Sequence, residues 1–267
     1  MTSLDDYKDK YPDIRFNRTD GILQLTLHTD GGAFTFSERA HHDLGLAFHD
    51  VADDLETKVV IITGTGDRFC ADFDSGSFLR MMRSAPSNGL YRIRNDGRRM
   101  LSAFLDIEVP VIAAVNGPVA SHSELPVLAD LVLAADDAFF QDATHFPAGA
   151  VPGDGVHTVW TKLLGINRGK YFLLTGEKIS AQEGQKLGFV SEVLPADRLL
   201  ERAWDLARHW ARLPRMTLCG TRHVLNYEWK RLFLEQLHNG LTEEMFAGAF
   251  SAIPEQDPDG PTDLIGT

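Results

Sequence analysis

The chain has 267 residues, with 26 Lys+Arg against 38 Asp+Glu, a formal charge of −12, and 43% hydrophobic residues. An acidic chain of this kind is a poor partner for nucleic acid or an anionic membrane, both of which attract positive surface. Cys70 and Cys219 are the only cysteines, which excludes a disulfide framework and a cysteine-based zinc site. The opening MTSLDDYKDKYPDIRF has no basic start followed by an apolar stretch, and no run reaches the roughly 18 apolar residues of a spanning helix. A cytoplasmic protein with no nucleic-acid or membrane partner is expected.

In chain order, residues 1–13 are polar and read as loosely held. Residues 21–28 (GILQLTLH) have the period-two pattern of a strand. Ser37 is placed to cap a helix whose apolar positions are Leu44, Leu46, Ala47 and Val51. Residues 58–63 (KVVIIT) read as a buried strand stopped by Gly64 and Gly66, residues 90–106 as a helix with Leu101, Phe104 and Leu105 inward, and residues 110–115 (PVIAAV) as a further buried strand. Strand, helix and strand in this order predict a parallel sheet. Beyond residue 195 only helical patterns remain, over 199–213 and 218–250, with Pro214 between them. The organisation predicted is an α/β core over 14–195, a helical region over 196–252 and a loose tail over 253–267.

The segments VVIITGTGDRFC at 59–70, EVPVIAAVNGPV at 108–119, ELPVLADLVLAADDAFFQD at 124–142, AVPGDG at 150–155 and GKYFLLTGEKISAQEGQKLGFVSEVLP at 169–195 resemble the crotonase (enoyl-CoA hydratase/isomerase) superfamily. The resemblance implies an α/β spiral of ββα units, a C-terminal helical trimerisation region, and homotrimers that often pair into hexamers.

Departures from the family pattern fall in its active-site loops. The F-C-A-G-A-D loop reads Phe69-Cys70-Ala71-Asp72-Phe73-Asp74, with Asp72 at the usual glycine. In the N-G-x-x-x-G-G-G-x-E-L loop the glycine cluster is lost and His122 stands in its place. The hydratase glutamate seven positions before Pro-Gly is His145, and Asp154 occupies a normally small position. S-H-x-E at 121–124, H-F-P-x-G at 145–149, V-P-G-D-G at 151–155 and G-L-T-E-E around Glu244 resemble one branch of the superfamily, the β-diketone hydrolases of the 6-oxocamphor hydrolase type. That resemblance implies retro-Claisen cleavage of a C–C bond in a cyclic or bicyclic 1,3-diketone, giving a keto acid without cofactor or metal. A tryptophan of that branch that binds substrate aligns with Phe36; Phe36 and Phe73 are assigned to substrate binding.

The chemistry asks for a base for water, a donor for the oxyanion and a proton for the departing enolate. His145 paired with Asp154 suits the first role, because a carboxylate on the other ring nitrogen fixes the imidazole tautomer. His122 suits the second, and Glu244 is a candidate for positioning water or moving a proton. Glu124 is left as a possible helix cap, His157 as structural, and His41 and His42 as solvated. Two readings compete with the diketone hydrolase: a CoA-thioester hydratase or isomerase, with Arg92, Arg94, Arg98 and Arg99 available to phosphates, and a non-catalytic scaffold.

Overall fold

The computed structural model describes residues 2–84 and 86–251, so the tail predicted at 253–267 lies outside the described residues. The elements in chain order are α1 (Leu4–Tyr7), β1 (Ile14–Thr19), β2 (Ile22–Leu27), β3 (Thr35–Phe36), α2 (Glu38–Asp53), β4 (Val59–Gly64), β5 (Asp72–Phe73), α3 (Ser75–Ser84) and α4 (Pro86–Asp106). They continue with β6 (Val111–Val115), α5 (Glu124–Val127), β7 (Leu131–Ala135), β8 (Phe139–Phe140), α6 (Val156–Leu164) and α7 (Ile166–Thr175). The last are β9 (Ile179–Ser180), α8 (Ala181–Leu187), β10 (Glu192–Leu194), α9 (Ala196–Trp210) and α10 (Arg215–Ser251).

The main sheet has six strands in the order β1-β2-β4-β6-β7-β10. Only the β1–β2 pair is antiparallel; β2–β4, β4–β6, β6–β7 and β7–β10 are parallel. Every residue of β4 and of β6 is buried, as the apolar runs at 59–62 and 111–115 require of strands covered on both faces, with the Thr63 hydroxyl donating to the Ala114 carbonyl. The strand β1 was not predicted, because IRFNRT at the sheet edge alternates buried and exposed positions and carries polar residues outward.

Ser37 caps α2 as predicted, its hydroxyl accepting from the Ala40 N–H at 3.2 Å. Leu101, Phe104 and Leu105 are buried on α4. Helix α9 crosses β4, β6 and β7, and its Leu199, Ala203 and Ala207 share one buried cluster with Phe233, Leu237 and Leu241 of α10. The N-terminal segment corrects the expectation of loose ends. Tyr7 is buried and its hydroxyl donates to Asp54 at 2.7 Å, while Tyr11 is buried beside it. Aromatic anchors outweigh the polar character of their neighbours.

Candidate active site

Strands β2, β4, β6 and β7 are parallel, so the loops that follow them gather at one edge of the sheet, where α/β folds place their sites. Asn116, at the end of β6, ties two of these loops together. Its Oδ1 accepts from the Gly64 N–H at 2.9 Å, and its Nδ2 donates to the carbonyls of Gly66 and Arg68. The carbonyl of Cys70 then accepts from the N–H groups of Ala120 and Ser121. His122 follows immediately, with φ +46°. A side chain in this left-handed region is strained, and such strain concentrates at functional sites.

The predicted residues His122, His145, Asp154 and Glu244 meet at one cavity of about 650 Å³, whose wall also includes Phe73. Asp154 is central. Its Oδ2 lies 3.2 Å from Nε2 of His145 and 3.4 Å from Nδ1 of His122, and the three side chains are buried. Glu124 supports His122, its Oε1 2.8 Å from Nδ1. The carboxylate that orients His145 through the other ring nitrogen is Asp142, 2.7 Å from Nδ1 and 1% exposed. Asp154, to which the sequence reading gave a role on His145 alone, therefore bridges two histidines. Asp142 and Glu124 are the acids that sequence reasoning missed or set aside. Their available signals were the i,i+3 and i,i+2 spacings to a histidine, weak until the loops are seen to turn back.

Glu244 arrives on α10 of the same chain. A Cβ on Gly153 would run into the Gly240 carbonyl oxygen, and one on Gly240 into the Gly153 carbonyl oxygen and the His157 ring. This backbone approach is what lets the helix deliver the acid. It also gives His157 the structural role anticipated for it.

Two further expectations are corrected, and Asp72 is placed. Phe36 does not line the cavity; it lies behind His122, ring centroids 4.0 Å apart, and stacks on Phe73 and Phe78. His41 is not solvated: it is buried, faces the cavity from α2 and sits 5.6 Å from His122, centroid to centroid. Asp72 lies off the cavity wall, paired with Arg68 at 3.0 Å, so it adds no free carboxylate to the site.

The electrostatics follow from burial and pairing. Burial disfavours a charged His145, but the Asp154 carboxylate, with hydrogen bonds to Asp142 and Asp154, reverses this and holds its pKa well above the ordinary value. His122 behaves likewise, burial being outweighed by Glu124 and Asp154. Asp154 is held below the carboxylate range, since the two histidines overcome its burial. Burial pushes Glu244 up to about 8, with the Asp154 charge adding to it, so the acid carries its proton at neutral pH. Burial and the neighbouring His122 lower His41 to about 3, leaving it neutral. The Oε2 of Glu244 and Nε2 of His41 are buried without a partner among the described residues.

Two overlapping groups, His122–Glu124–Asp154 and His145–Asp154–Glu244, have donor atoms within 4.8 Å of one another. Nitrogen and carboxylate donors of this kind suit a divalent cation. His122 and Glu124 also hydrogen-bond to each other, whereas the Oε2 atoms of Glu124 and Glu244 are buried without a partner among the described residues.

With this geometry in view, the sequence profile of the enoyl-CoA hydratase/isomerase family matches residues 17–251. The chain belongs to the enoyl-CoA hydratase/isomerase family. Among family relatives, it is 30% identical over 221 residues to a probable enoyl-CoA hydratase of Rhodobacter capsulatus, covering 81% of this chain and 82% of that one. It spans 56% of the length of the rat enoyl-CoA delta isomerase 2, at 27% identity over 232 residues. Among solved structures, it resembles a beta-diketone hydrolase from the cyanobacterium Anabaena sp. PCC 7120, bound to (S)-3-oxocyclohexyl acetic acid. The identity is 41%, the coverage 92% of this chain and 98% of that chain, and the TM-score 0.88. The family fold accounts for the parallel sheet and long terminal helix; the histidine-rich site is set upon it.

Proposed function

We propose that this enzyme hydrolyses the C–C bond between the two carbonyls of a 1,3-diketone. The observation that carries the reading is Asp154 buried between His145 and His122, with Glu244 on the same cavity wall. The beta-diketone hydrolase neighbour supports it, since the ligand named in that structure is a keto acid.

The steps follow from the geometry. With the Nδ1–H of His145 held by Asp142, the lone pair of the neutral ring sits on Nε2, beside Asp154, and takes a proton from water. Hydroxide adds to one carbonyl carbon. His122, its Nδ1 committed to Glu124, turns Nε2–H to the resulting alkoxide, a donor worth about 3–4 kcal/mol at the transition state. The C–C bond then breaks, its electron pair forming the enolate of the second ketone, whose oxygen meets His41. Glu244 protonates the enolate at carbon and is reprotonated from the His145 imidazolium within the same cluster, and the carboxylic acid and ketone are released as one molecule when the dione is cyclic.

A second reading, hydration or isomerisation of an enoyl-CoA, is favoured by the names of the family relatives. Against it, the cavity wall carries no lysine or arginine for the phosphates among the described residues. Among the arginines considered for that purpose, Arg92 and Arg99 are paired with Glu38 and Asp96, and Arg94 with His238. The test is to incubate the protein with a 2,2-disubstituted cyclohexane-1,3-dione and with crotonyl-CoA, and with the His145→Ala variant in parallel. Keto-acid formation by the parent alone is expected; turnover of the thioester alone sinks the proposal.

We also propose assembly as a homotrimer or a dimer of trimers. It is supported by a stripe of exposed apolar residues on α10, Met216, Val224, Tyr227 and Leu234, which are 65–85% exposed. Light scattering checks the mass. Among the described residues no helix is long and apolar enough to cross a membrane.

A further inference from the structure

We propose that the substrate carries an extended apolar substituent, housed in an arm of the cavity kept open by Gly248; this rests on the diketone reading above. The cavity wall is mostly apolar. His122, His145, Asp154 and Glu244 line it together with Leu79 and Met82 of α3, Leu90 and Ile93 of α4, and Met245 and Gly248 of α10, and these last six supply apolar wall for an arm. A cyclic dione core has about ten non-hydrogen atoms, which at less than the roughly 30 Å³ share of a liquid water each fill under about 300 Å³. More than half of the 650 Å³ is then left to these apolar side chains.

Gly248 has a different use from Gly240 on the same helix. A Cβ at Gly240 collides with backbone, whereas one at Gly248 meets no described atom within 4 Å. Glycine is a poor helix former, and at this position the side chain it omits is space next to the arm. Along α10 the distance from Glu244 to Gly248 is about 6 Å. That accommodates an alkyl chain of about four to five carbons, each bond advancing roughly 1.3 Å. The occupant is a neutral chain, because among the described residues those named for the arm are all uncharged. Its binding tethers the dione against His122 and leaves the core free to react.

The experiment is a series of 2-alkyl-2-methylcyclohexane-1,3-diones from methyl to pentyl, measured for kcat/KM and, by calorimetry, for Kd. Each early methylene is expected to improve both by about fourfold, and pentyl over methyl by more than tenfold. The folded Gly248→Phe variant should flatten this gradient, and Gly248→Ala should keep most of it. Equal or poorer values for the longer chains overturn the inference, as does a Gly248→Phe gradient equal to the parent's. Chain-length-dependent binding without hydrolysis of any dione leaves the arm in place and removes the reaction. Hydrolysis without a gradient does the reverse, and a failure of every dione to bind removes both.

Discussion

Asp142→Asn isolates the carboxylate that orients His145. The replacement is nearly isosteric, the side chain is buried, and its Oδ2 has no partner among the described residues that an amide would displace. What changes is the acceptor 2.7 Å from Nδ1 of His145. A hydrogen bond to a charged group contributes about 1.5–3 kcal/mol and an ordinary one about 0.5–1.5, so the imidazolium loses about 1–2 kcal/mol of support. That is a fall of about one unit in its pKa. The direction opposes the parent, in which Asp154 and Asp142 raise His145. Because His145 must be neutral to accept a proton, activity in the parent should climb through an ionisation above the usual histidine range. In the variant that midpoint should move down by about one unit. The plateau should fall about ten- to hundredfold, because the ring is a weaker and less well oriented base. The assay is kcat against pH with a 2,2-disubstituted cyclohexane-1,3-dione, from pH 5 to 10. A midpoint that stays put or rises, at near-parental rate, would refute the role of Asp142.

Glu244→Gln should remove the fall in activity expected above about pH 8, where the parent acid loses its proton, while lowering the plateau at every pH. The same variant should melt several degrees higher than the parent at pH 7. A carboxyl raised in the folded state contributes stability that is complete below its unfolded pKa near 4.5 and is lost as pH rises toward 8. The gap in Tm should therefore close below pH 4.5, and calorimetric scans across pH decide it. His122→Ala should lower kcat by about 10²-fold or more with a smaller change in KM, as befits a donor to the transition state; steady-state kinetics showing mainly a KM effect would make His122 a recognition residue. Gly153→Ala forces its methyl into the Gly240 carbonyl, and should reduce both Tm and turnover. A variant with parental melting and rate would show that the helix can shift without consequence.

Much of the fold was legible because burial writes itself into composition. Residues 59–62 of β4 and all of β6 are apolar without interruption, as strands covered on both faces must be. By contrast, β1 at the sheet edge and the N-terminal segment anchored by Tyr7 and Tyr11 look polar, since local pattern does not reveal which few side chains turn inward. In the site, His122, His145, Asp154 and Glu244 were legible by alignment to family loop positions. His41 was not, because only the packing of α2 decides that its ring faces the cavity. Phe36 was misplaced for the opposite reason: His122 projects in front of it and takes the wall position. The partnership of Asp142 with His145 depends on a loop folding back on itself, which no periodicity encodes.

The close crossing of Gly153 and Gly240 has a consequence for chain length. It couples the rotational phase of α10 to the loop that holds Asp154, four residues before Glu244. Removing one residue between Arg215 and Gly240 would turn the remainder of the helix by about 100° and draw it back by about 1.5 Å. The acid would then point away from the substrate although every reacting side chain was still present. A stretch of helix that supplies no reacting group before Gly240 thus acts as a spacer, and its tolerance to insertion and deletion should be far lower than its tolerance to substitution.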